Sequence, residues 1–118
     1  MQPNETDAGL LWDMIDAARA VERFVVSLGR DEYLRDEMAQ AAVERKIEII
    51  GEAARKVSGP FQQAHPEIPW AKIAAQRHVL AHDYGRIEHD RIWEVATVHL
   101  PALLAQLQQL LPPDTDAT

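Results

Sequence analysis

The sequence predicts an all-α protein, a compact bundle of four to five helices, on three observations. Apolar residues recur every three or four positions through most of the chain. No stretch alternates apolar and polar with the period of two that a half-buried strand needs. The connections are short and carry Gly or Pro, the pattern of antiparallel neighbouring helices. A length of 118 residues suits one domain, 1–118, with a core at about 8–111 and flexible tails at 1–6 and 113–118.

The first helix is expected from Asp7, a good N-cap residue, with Leu11, Met14, Ile15, Ala18, Val21, Val25 and Leu28 forming one stripe. Gly29 is placed as its left-handed stop. The second is expected from Asp31, with Leu34 and Met38 leading into Val43, Ile47, Ile50, Ala54 and Val57. A second stripe on this helix, Arg45, Glu48, Glu52 and Arg55, reads either as a solvated face with internal ion pairs or as a polar strip facing a cleft or partner. Gly51 interrupts the helix at a cost of ~1 kcal/mol against alanine, which close approach of another helix would explain. Ser58-Gly59-Pro60 ends it. Residues 61–69 form a connection with room for one short helical turn. Pro69 then leads into a third helix with Trp70, Ile73, Ala74 and Val79 or Leu80 on its apolar side and its end at Tyr84-Gly85. A fourth starts near Glu88 to Asp90 and carries Ile92, Val95, Ala96, His99, Leu103, Leu107 and Leu110, with a kink or break expected at Pro101.

Several function classes are excluded by composition. Without cysteine there is no disulfide framework and no thiolate zinc or redox site, which fits a reducing cytoplasm. The N-terminal residues lack the basic and apolar regions of a signal peptide, and no apolar run approaches the roughly 20 residues that span a bilayer. A net charge of −7 argues against gripping a nucleic-acid backbone over a wide surface, while leaving room for a small basic cleft or a basic partner.

Chemistry concentrates in one place. Of five histidines, His78, His82 and His89 fall close together beside Arg77, Asp83, Tyr84 and Arg86. His78 and His82 share a helix face as two zinc ligands would, with Asp83 or His89 as a possible third. However, the Glu that directly follows the first His in a zinc hydrolase motif is missing, so no metal and no cofactor are expected. An acid–base reading fits better. Histidine exchanges protons near neutral pH, and arginine forks onto phosphate oxygens, so the pair suits phosphodiester cleavage. Arg77 and His82 lie about 140° apart on a regular helix, and converge only if the helix distorts or a second subunit completes the groove. Spacing alone also allows a structural reading, with His82 capping the helix end and Arg77 in a surface ion pair.

The segment Arg77-x4-His82-x-Tyr84 resembles the R-x4-H-x-Y signature of HepT-like toxins, the DUF86 branch of the HEPN superfamily. His78 fills the slot after the arginine where asparagine is commoner. The likeness extends to Arg45 with Ile50-Gly51-Glu52-Ala53, to Ile68-Pro69-Trp70, to Ile92-Trp93 and to Leu100-Pro101, covering about residues 8–111. Gly85 departs from it, where a bulky aromatic is common. The resemblance implies a HEPN-like bundle forming a homodimer, with the two motifs lining a cleft between subunits. It implies metal-independent RNA cleavage, with Arg77 and His82 as the catalytic pair and His78 and Asp83 in support. It also implies a minimal nucleotidyltransferase antitoxin that transfers AMP to Tyr84. A non-catalytic HEPN module that binds such a nucleotidyltransferase is the alternative.

Overall fold

Asn4 opens the first helix, α1 (Glu5–Val25), its side chain accepting the backbone N–H of Asp7 at 2.7 Å. The computed structural model describes residues 2–81 and 89–111, without the side chains of 77–81. The helix thus begins two residues before the expected cap, and Glu5 and Thr6, assigned to a tail by sequence, are helical. Asp7 is instead buried, and its carboxylate accepts the backbone N–H of Ser58 at 2.9 Å and its hydroxyl at 2.6 Å. Leu11, Met14, Ile15, Ala18, Val21 and Val25 enter the core as their spacing predicts.

Gly29 is not a left-handed stop. It has φ −85° and is the N-cap of α2 (Arg30–Tyr33), where the Glu32 carboxylate accepts its N–H at 3.0 Å. The expected second helix is therefore two. Asp36 is extended and caps a new start, accepting from Ala39 N–H at 3.0 Å, and α3 (Glu37–Lys56) runs from there. Two competing caps a few residues apart divide the segment. Met38 consequently faces solvent at 84% exposure: it lies five residues before Val43, about 140° off the stripe. Val43, Ile47, Ile50, Ala54 and Val57 are buried, and so is Gly51.

Ser58 precedes α4 (Gly59–Ala64), which holds Pro60 in its first turn, so Gly59 begins a helix rather than ending one. Next comes α5 (Trp70–Ala81), whose first turn is closed by Ile73 N–H onto the Pro69 carbonyl at 3.0 Å. The last rod has three parts: α6 (His89–Glu94), a π-helical turn (Val95–His99) and α7 (Leu100–Gln108). Pro101 has no N–H to give the Thr97 carbonyl, and the Leu100 N–H reaches back five residues to Val95. The kink expected at Pro101 is thus a widened turn immediately before it. That extra residue re-phases the stripe: Ala96, Leu100, Leu103 and Leu107 are buried while His99 is exposed.

The layers follow from these faces. α3 lies centrally with α1 on one side and α5 on the other, and α7 covers α1. Every described element is helical, so the all-α expectation holds. No described helix is long and apolar enough to cross a membrane.

Candidate active site

The segment singled out by sequence sits between two anchored ends. On its N-terminal side, α5 is fixed at its base. Trp70 is buried, its indole N–H donates to the His65 carbonyl at 2.9 Å, and its ring meets Phe61 edge-on at 6.2 Å. Phe61, fully buried, also packs on His65, and Ile73 enters the core one turn later. Arg77 and His78 occupy the last two turns of this helix by backbone position. Their side chains, and His82, Asp83, Tyr84 and Gly85 altogether, lie outside the described residues, as does the proposed convergence of Arg77 with His82.

On the C-terminal side, three contacts hold the start of α6. His89 Nδ1 stands 3.3 Å from Glu44 Oε2 on α3. Asp90 pairs with Arg30 of α2. Trp93 packs on Tyr33 with ring centroids 5.3 Å apart. The Arg30–Asp90 pair is exposed and contributes at most about 1 kcal/mol. The tighter hold comes from Tyr33 and Trp93, because Tyr33 is fully buried.

Tyr33, Glu44 and His89 form a polar cluster that the sequence reading did not assemble. The Tyr33 hydroxyl, Glu44 Oε2 and His89 Nδ1 are buried without a hydrogen bond, the last two being close enough for charge attraction but not aligned to share a proton. Burial, and secondarily the Glu44 carboxylate, push the Tyr33 phenol above its ordinary range. Burial raises the Glu44 carboxyl, His89 pulls it back and Glu48 raises it again, for a net upward shift. Pairing between residues so distant in sequence leaves no periodic signal, and only the acidic and basic residue types hinted at it. The other described histidines are engaged too: His65 with Glu67 at 3.2 Å and His99 with Glu94 at 3.4 Å.

The polar stripe of α3 is partly ion-paired and partly cleft. Glu52 meets Arg55 at 2.7 Å and Lys56 at 3.5 Å. Arg45, Glu48 and Glu52 also line a groove of about 460 Å3 against Leu10 and Asp13 of α1. Glu52 and Lys56 take part in both, so the stripe carries internal ion pairs and also lines a groove.

Residues 14–110 match the family model described as Ribonuclease HepT-like. The chain belongs to this family. A protein named probable ribonuclease HepT from Thermococcus cleftensis is 33% identical over 100 residues, covering 85% of this chain and 91% of the relative. A candidate RNase from Methanocaldococcus jannaschii is 29% identical over 98 residues, covering 83% and 90%. Another, from Caldanaerobacter subterraneus subsp. tengcongensis, is 32% identical over 91 residues, covering 77% and 80%. No solved structure matches the chain. The Ribonuclease HepT-like match includes every residue of the Arg77 to Tyr84 segment and both elements that anchor its ends.

Proposed function

We propose that this protein is a metal-independent endoribonuclease, the toxin of a HepT-type toxin–antitoxin pair. The observation that carries the reading is the Arg77-x4-His82-x-Tyr84 segment within a chain of the Ribonuclease HepT-like family. The RNA 2′-oxygen attacks the adjacent phosphorus and the bond to the 5′-oxygen breaks, leaving a 2′,3′-cyclic phosphate and a 5′-hydroxyl. His82 takes the proton from the 2′-hydroxyl or gives one to the departing 5′-oxygen. Arg77 stabilises the charge that builds on the phosphoryl oxygens. His78 and Asp83 support this pair. Two subunits face their motifs across one cleft, which resolves the 140° offset between Arg77 and His82 on a single regular helix. A minimal nucleotidyltransferase transfers AMP to Tyr84, and the added phosphate blocks RNA entry by bulk and like-charge repulsion.

The test is cleavage of purified RNA in the presence of EDTA. Wild-type protein cuts it, and His82→Ala or Arg77→Ala lowers the rate by roughly 10²–10⁴-fold, the range of a lost acid–base or charge-stabilising group. Protein co-expressed with the nucleotidyltransferase carries an AMP adduct and does not cut, while Tyr84→Phe escapes silencing. A folded wild-type protein that leaves RNA intact sinks the nuclease reading and leaves a binding module. An unmodified mass after co-expression removes the AMP step alone.

A further inference from the structure

We infer that the groove between α5 and the α6–α7 rod is a substrate subsite that holds one nucleotide of single-stranded RNA beside the cut phosphate. This rests on the nuclease reading above. The groove has a volume of about 420 Å3, within the roughly 300–1,000 Å3 of small-ligand clefts and sufficient for one nucleotide, not for a duplex. Its wall carries Lys72 on α5 and Arg91 on α6, and its floor is apolar, from Ile73, Leu100 and Leu103.

Charge decides the occupant. The chain as a whole is at −7, yet this groove is net positive. Lys72 and Arg91 are both exposed, and neither has a carboxylate within ion-pair distance among the described residues. The groove's one carboxylate, Glu94, is met by His99. Two unneutralised cations above an apolar floor match a polyanion whose units each bring a phosphate and a flat apolar face. The planar Arg91 guanidinium can pair with phosphate or stack on a base, and Lys72 can only act as a point charge.

Position ties the groove to the motif. Gln76 lines it, and Arg77 is the next residue in the same helix. From Lys72 to Arg77 the helix rises about 7.5 Å, on the order of one nucleotide step, and turns about 140°, so a strand that meets both wraps partly around α5. The opposite wall includes the π-helical turn, a departure from regular helix of the kind that concentrates at functional sites. An RNA strand held in this groove would place one phosphate against Lys72 and Arg91, with Gln76, the residue before the motif, on the same wall.

The test measures affinity for a fluorescein-labelled 2′-O-methyl oligoribonucleotide, which lacks the attacking hydroxyl, across a NaCl titration. Lys72→Ala/Arg91→Ala is compared with wild type and with Arg23→Ala/Arg35→Ala, a charge-matched pair of exposed side chains elsewhere. For two phosphate contacts at about 0.7 each, the groove variant lowers the log–log salt slope by about 1.4 and weakens binding roughly tenfold. An equal loss in both variants means that only the overall field matters, and overturns the subsite. So does a groove variant that binds RNA like wild type, including one that instead loses co-purification with the nucleotidyltransferase. Cleavage of unmodified RNA, run alongside, separates the two ideas. If wild type cuts RNA while the groove variant binds normally, the nuclease reading stands and the subsite falls. If wild type binds through the groove without cutting, the subsite stands and the nuclease reading falls. If it does neither, both fall.

Discussion

Asp7 illustrates how a single side chain can be placed correctly by type and wrongly by role. A carboxylate near a helix start reads as an N-cap, and Asn4 takes that position instead. Asp7 then joins the start of α1 to the turn between α3 and α4 through both donors of Ser58. A buried carboxylate accepting two hydrogen bonds has no substitute once water is excluded. Asp7→Ala should therefore lower unfolding stability by about 2–3 kcal/mol, read from urea denaturation. Asn4→Ala, which removes one capping acceptor, should lower it by about 1 kcal/mol. If the two substitutions cost the same, the Ser58 contacts contribute no more than a cap. Sequence could not rank these two residues, because their partners differ by one being three residues away and the other fifty-one.

Among the elements, legibility followed periodicity. The stripes of α1, α3 and α7 were readable because each buries apolar residues at helical spacing over several turns. The break between α2 and α3 was not, since Asp31 and Asp36 both read as caps, and the chain uses Gly29 for α2 and Asp36 for α3. The hold of α6 on α3 was equally hidden, and it has a consequence that pH can read. Glu44 has a raised carboxyl pKa in the folded state, so the folded chain binds its proton more readily than the unfolded chain does. Its contribution is thus most favourable when it is protonated, and it declines as pH rises through the folded value. Glu44→Gln should accordingly gain on wild type in melting temperature as pH moves from the ordinary carboxylate range toward neutrality. The difference between the two proteins, tracked by thermal melts, should shrink again on acidification. A constant offset at all pH values would show that Glu44 titrates as it does in the unfolded chain.

For the molecule as a whole, the helical bundle was evident from the sequence, while the site was legible as a motif and not as a geometry. The motif announces itself because Arg77, His82 and Tyr84 stand at fixed spacing; the distance from Arg77 to His82 is not encoded by spacing, which puts them about 140° apart on a regular helix. The same limit applies to charge. Net charge of −7 suggests poor affinity for nucleic acid, yet Lys72 and Arg91 gather in one groove, where local field matters more than the total. If two motifs face one cleft, the active species has twice the mass of the chain. Sedimentation equilibrium should then return a dimer, with RNA cleavage per chain falling on dilution below its dissociation constant. A monomer with undiminished activity would place the whole site within one subunit.

The widened turn before Pro101 has a further consequence. A regular helix presents one continuous stripe, so a rod of this length would serve a single neighbour. The extra residue at Val95–His99 turns the two halves to different partners, α6 toward α3 and α7 toward α1. One half is thereby committed to holding the motif, and the other to closing the core. A rod divided in this way serves two neighbours with one run of sequence, Ile92 entering the core on the first half and Leu103 and Leu107 on the second.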